Sequence, residues 1–330
     1  MKNLKKLSLT ALGSSLIATS AFAGALDVSG SAGITFAGAD KGTSANGFSM
    51  TDEVTFSGGG EMDNGMNVTV SMQLDNNASG GTGQFMDNRS VVIDTNGMGT
   101  ITFAGHGGDS VVSGKDDVMP TAYGESWDIM SESIDNGGVT KAASTVFNSI
   151  ASAGSNNILR YDNSDLMDGL TLMASYVPSG AGEANSSTDF ALEYTGFDGL
   201  TVGYAIGEID KTTNGVGQDS DTMWANYASG PVTVGFQVGN VEETGQTEHN
   251  NRILGISFAV NDSLALSYQI LEDEYEKIGA NNVTSTFTGI SASYTMGSLA
   301  IKGTMNDVDD MGGTIGGADQ NTELSISVAF

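Results

Sequence analysis

The 330-residue chain has no cysteine, two histidines, three prolines, and 12 lysines and arginines against 40 aspartates and glutamates, for a formal net charge of −28. Without cysteine there is no disulfide framework, so the fold must be held by its hydrogen-bonded sheet and its packing. The shortage of bases excludes a nucleic-acid-binding surface and favours cations wherever the carboxylates line a cavity. His106 and His249 are the only imidazoles, and no motif surrounds either, so a Ser/His or metal-hydrolase site has no foundation and no enzyme is expected. Past the amino terminus no apolar run is long enough for a transmembrane helix, and a membrane-spanning reading must therefore use strands.

The amino terminus itself reads as a secretory signal peptide. Lys2, Lys5 and Lys6 precede the apolar run Leu7 to Ala18, and Ala21-Phe22-Ala23 is a small-x-small cleavage site. Cleavage after Ala23 divides the chain into a leader, residues 1–23, and a single domain, residues 24–330.

What the domain has in abundance is one phrase, a turn followed by an alternating strand. It appears as Asn64-Gly65-Met66-Asn67-Val68-Thr69-Val70, Asp168-Gly169-Leu170-Thr171-Leu172, Asp198-Gly199-Leu200-Thr201-Val202 and Gly297-Ser298-Leu299-Ala300-Ile301, among others. Strict alternation makes one sheet face apolar and the other polar. Following it along the chain predicts sixteen strands, from Leu26 to Phe36 at one end to Asn321 to Phe330 at the other. Tight turns such as Asp63-Asn64-Gly65 and Phe197-Asp198-Gly199 alternate with long polar loops, the pattern of periplasmic turns and extracellular loops, with both termini periplasmic. The fold class expected is all-β, a transmembrane antiparallel β-barrel. A solenoid or surface adhesin shares the acidity and the turn residues but lacks this alternation of short and long connections.

One connection is far longer than the rest. Residues 106–156 follow the fifth strand and carry Asp109, Asp116, Asp117, Glu125, Asp128, Glu132 and Asp135 together with apolar Val111, Val112, Val118, Met119, Tyr123, Trp127, Ile129, Val146, Phe147 and Ile150. A disordered acidic loop has no use for so many apolar anchors, so the stretch is expected to fold against something.

Strand count, long third loop and terminal Phe330 together resemble the sixteen-stranded trimeric general diffusion porins of Gram-negative outer membranes, with alphaproteobacterial members nearest in pattern. The resemblance implies a third loop folded into the lumen as a pore constriction, whose carboxylates face bases on the wall. Asp117-Val118-Met119-Pro120-Thr121-Ala122-Tyr123-Gly124-Glu125 is similar to the family's loop segment at Asp117 and Pro120. Thr121 stands where the family has a glutamate, leaving Glu125, Asp116 or Asp128 to supply that carboxylate. Arg89 is similar in position to the family's wall arginine, although parity groups it with Val91 and Ile93 and leaves its facing open. Arg160 and Lys302 fall on polar parities, and a lipid-facing base would cost about 2–4 kcal/mol at mid-membrane. Glu53 and Glu193 are also on lumen parities.

The function that follows is passive diffusion of small hydrophilic solutes and ions through a water-filled, weakly cation-selective channel. A substrate-specific channel is the alternative, but no lumen-parity aromatic ladder is apparent. Phe36, Phe103, Tyr161, Tyr176, Tyr194, Tyr204, Phe236, Phe258, Tyr268 and Tyr294 suit aromatic girdles at the membrane interfaces. The resemblance further implies a homotrimer in contact with lipopolysaccharide and recognition of Phe330 by the barrel-assembly machinery. No cofactor is expected; the acidic run Asn306 to Gly313, read as a loop, could hold Ca2+ loosely through oxygen ligands, although its spacing fits no EF-hand.

Overall fold

The computed structural model describes residues 26–41, 47–75, 86–116, 118–127, 156–179, 185–210, 217–243, 245 and 247–330. The expected leader lies outside the described residues. Sixteen strands form: β1 (Asp27–Lys41), β2 (Gly47–Glu61), β3 (Asn67–Asp75), β4 (Met86–Asp94), β5 (Thr100–His106), β6 (Ile158–Met167), β7 (Leu170–Val177), β8 (Ser187–Phe197), β9 (Leu200–Ile209), β10 (Gln218–Ser229), β11 (Val232–Glu243), β12 (Glu248–Asn261), β13 (Leu264–Glu276), β14 (Val283–Met296), β15 (Leu299–Asp309) and β16 (Ala318–Ala329). Each pairs antiparallel with its sequence neighbours and β1 closes on β16, so the barrel has no edge. At the seam Gly30 and Phe330 exchange both backbone hydrogen bonds, at 3.0 and 2.9 Å.

The two faces are the reverse of a water-soluble sheet. On β13 the outward Leu266 and Tyr268 are exposed, whereas the inward Ser267 and Gln269 are buried; on β16 Leu324, Ile326 and Val328 point out while Glu323 points in and is buried. An apolar belt of this extent is stable against hydrocarbon, and closure satisfies the backbone there. No helix among the described residues is long and apolar enough to cross a membrane; the strands, of 7 to 15 residues, are the crossing elements. All the tight turns, between β2 and β3, β4 and β5 and so on to β14 and β15, fall at the end of the barrel that carries both termini, and the long connections fall at the other.

Several strands outrun the alternation that predicts them. β13 continues beyond Ile270 to Glu276, and β15 beyond Thr304 to Asp309. Above the apolar belt the outward positions become Glu272, Glu274, Asp307 and Asp309, so the hydropathy signal stops while the backbone ladder continues. The acidic run Asn306 to Gly313 is accordingly corrected from a loop to the end of β15 plus a 3-10 turn, Met311–Gly313. The pleat sends Asn306 and Val308 inward and Asp307 and Asp309 outward.

The largest apolar core lies inside the barrel. Val111, Val112, Met119 and Trp127 of the third loop pack with Met173, Ala191, Ala205, Trp224, Ile253, Leu271, Phe287 and Val308 from the inner faces of β7 to β15, and Val118 packs against the cluster. Three inward aromatics of the described strands, Trp224, Tyr275 and Phe287, are buried and pack the wall.

Candidate pore constriction

Residues 107–116 and 118–127 of the third loop run across the lumen along the wall from β7 to β16. The loop leaves β5, forms a short 3-10 turn at Ser113–Lys115 and is held mainly by its own backbone. Val111 N–H donates to Ser175 Oγ at 2.9 Å and Val112 N–H to Asp189 Oδ2 at 3.1 Å. Gln237 Nε2 donates to the Lys115 carbonyl and Asn226 Nδ2 to that of Val118, both at 2.7 Å. Further along, Ala122 N–H donates to Ser267 Oγ at 2.9 Å, Tyr123 N–H to Ser291 Oγ at 3.0 Å and Ser126 N–H to Gln269 Oε1 at 3.0 Å; Asn306 Nδ2 reaches the Glu125 carbonyl at 2.9 Å. An irregular backbone buried against a wall must find partners for its polar groups, and each of these wall side chains supplies one.

Two wall glycines make room for the loop. Gly235 of β11 and Gly255 of β12 are cross-strand partners, and a β-carbon on Gly255 would stand 3.1 Å from Pro120 Cδ, with one on Gly235 closer still. Pro120 therefore seats on bare backbone.

Charged groups pin both ends of the docked segment. Lys115 Nζ lies 3.3 Å from Glu193 Oε2 and 5.0 Å from the centroid of the Trp224 ring. Tyr123 donates its hydroxyl to Glu323, and Lys302 Nζ sits 5.4 Å from the Tyr123 ring centroid. Such pairs are stronger in a part-buried setting than at an open surface.

The candidate site residues divide into two groups. At the root of the loop, Arg89 and Arg160 border a lumen cavity of about 360 Å3 together with His106, Asp109 and Asp162. Arg160 is chelated by Asp162, with Nε 2.9 Å from Oδ2 and Nη2 2.9 Å from Oδ1. Arg89 stands between two register shifts, one toward β3 and one toward β5, which is why parity could not assign its facing. Lys302 is apart from these, on the inner face of β15. Asp116 caps the 3-10 turn through its backbone N–H to Ser113, and Glu125 lies nine positions further along. Asp117 and Asp128 lie outside the described residues.

The docking groups Ser175, Gln237, Gln269, Ser291 and Asn306 escape a search for charge, because a neutral residue on a polar strand face looks like ordinary lumen lining. A signal was present nonetheless. The apolar pairs Met223-Trp224, Ile253-Leu254 and Ile270-Leu271 interrupt the alternation, and in each the inward member is buried among the residues under the loop.

The backbone is similar to solved porins at low sequence identity, which speaks for the fold. An anion-selective porin from Comamonas acidovorans superposes with a TM-score of 0.67 at 14% identity, covering 93% of this chain and 99% of that one. The trimer form of in-vitro folded OmpT from Vibrio cholerae gives 0.69 at 11% identity, covering 93% and 99%, and Salmonella typhi OmpF in complex with daunomycin gives 0.68 at 16%, covering 92% and 97%. No curated protein matches by sequence. A sequence model described as Gram-negative porin nevertheless matches residues 8–330. A match of that extent places the chain in the Gram-negative porin family, as a β-barrel channel of the outer membrane.

Proposed function

We propose that this porin is a weakly cation-selective general diffusion channel, narrowed between the third loop and the inner faces of β1 to β6. The observation that carries the reading is the loop's attachment: the backbone of its described residues is bound by wall side chains from β7 to β15, and the opposite wall is read as the water-filled side. That wall is coated by small polar residues such as Ser31, Thr51, Thr55, Ser71 and Thr102 on inward parity with Glu53, and it suits hydrated solutes without selecting one. Asp116 and Glu125 on the loop and Arg89, Arg160 and Lys302 on the wall are the proposed constriction residues, with Asp117 and Asp128 added by the sequence pattern.

The preference for cations follows from the net charge of −28 and from the engagement of two of the lumen bases: Arg160 is matched by Asp162 and Lys115 by Glu193. Since one structural relative is an anion-selective porin, the barrel alone does not decide the sign and the side chains must. We also propose removal of residues 1–23, periplasmic termini, contact with lipopolysaccharide, delivery through Phe330 to the assembly machinery, and a homotrimer. Support for the trimer comes from the outer surface, where one arc of the barrel carries no tyrosine. Reversal potential in a planar bilayer under a KCl gradient tests the reading; a cation-favouring potential with closure in three steps is expected, and an anion-favouring potential would overturn the selectivity.

A further inference from the structure

The inner wall carries several carboxylates away from the rims, and their partners differ. Asp162 is matched by Arg160 and Glu193 by Lys115, and Asp273 is fully buried, 3.2 Å from His249 Nδ1. Asp189 and Glu323 accept from the third loop and are buried. Glu53 is different. It stands near the middle of β2, part-exposed, and its hydrogen bonds run to the neighbouring strands, not to the described loop residues. Its oxygens accept from Ser31 Oγ at 3.0 Å and Gln73 Nε2 at 2.6 Å, and Gln73 in turn accepts from Asn88 Nδ2 at 2.5 Å. This chain of neutral donors across β1, β2, β3 and β4 fixes the carboxylate in place without cancelling its charge.

We infer that Glu53 is the wall residue that sets the cation preference of the open side of the channel, with Ser31 and Gln73 as positioning residues. The inference rests on the diffusion-channel reading above and adds the residue responsible. An ion pair presents the passing ion with a dipole whose field falls off quickly, whereas a carboxylate held by neutral donors presents a full negative charge. A unit charge about 8 Å from the ion path, screened by about 0.1 M salt, changes the cation-to-anion ratio roughly twofold.

The absence of cysteine from the chain provides a clean test. Glu53→Gln should lower the cation-to-anion permeability ratio roughly twofold. The charge-neutral double substitutions Lys115→Met with Glu193→Gln, and Arg160→Met with Asp162→Asn, should shift it less. In Glu53→Cys, reaction with a sulfonate-bearing methanethiosulfonate should return the ratio toward the parent value, and a trimethylammonium-bearing reagent should drive it further toward anions. Opposite responses to the two reagents identify charge as the cause and exclude a packing defect. Failure of the Glu53→Cys thiol to react in the folded barrel, an unchanged ratio in Glu53→Gln, or equal responses to both reagents would overturn the inference. Should the parent channel prefer anions, the selectivity reading falls on that measurement alone, while the direction of the Glu53→Gln shift still tests Glu53.

Discussion

The arc formed by β15, β16 and β1 to β5 differs from the arc formed by β6 to β14 on its outer face. All seven outward tyrosines, Tyr161, Tyr176, Tyr194, Tyr204, Tyr227, Tyr268 and Tyr294, lie on β6 to β14; the chain's other two, Tyr123 and Tyr275, are inside the barrel. Within the apolar belt the remaining arc presents Val, Ile, Met, Leu, Ala, Gly and Phe, including Val68, Val70 and Met72 on β3, around one carboxylate, Asp52 of β2, between Met50 and Val54. Tyrosine has an apolar body and a polar tip and is favoured where acyl chains meet headgroups. A face without it is suited to contact with protein, which is the physical basis for placing the proposed trimer contact there. Inside, a related division holds among the described residues: the third loop is hydrogen-bonded by side chains from β7 to β16, and the inner faces of β1 to β3 carry no hydrogen bond to it.

The comparison can be broken in order of expected effect. Trp224→Ala removes the largest fully buried side chain beneath the loop and should cost about 3–5 kcal/mol, read as a lowered temperature for the heat-induced mobility shift of the folded barrel on gels. Arginine on the lipid face costs about 2–4 kcal/mol at mid-membrane, so Val70→Arg and Leu254→Arg should differ in kind. The first should dissociate the trimer while leaving folded monomers, and the second should impair insertion without changing the oligomer, as measured by cross-linking in detergent. Identical behaviour of the two would remove the distinction between the arcs. Gly235→Val should cost about 1–3 kcal/mol through overpacking against Pro120, displace the loop and raise single-channel conductance. Tyr268→Phe, which removes only an interfacial hydroxyl, should cost less than about 1 kcal/mol, seen as a small shift in the urea midpoint of folding into vesicles.

Much of the barrel was legible from residue order. The alternation Leu324, Ile326, Val328 against Glu323, Ser325 and Ser327 sets both the strand and its facing, because successive side chains on a strand must point to opposite sides. Strand ends were less legible. Above the belt both faces meet water, and Glu272 and Glu274 of β13 read as loop although their backbone is paired. The third loop was recognisable from its length and its apolar anchors; its path was not. Lys115 and Glu193 are 78 positions apart, and Asn306 and Glu125 are 181 apart.

Residue order by itself settles the closed sheet, its sixteen strands and the division between apolar outside and polar inside, since each is a relation between near neighbours repeated along the chain. Which carboxylates are neutralised, which are covered and which keep their charge beside the water path is decided only when the loop lies on the wall. Those outcomes depend on distances between residues remote in sequence, and Glu53 and Glu193, equivalent by parity, are separated in role by the single lysine that folding brings to one of them.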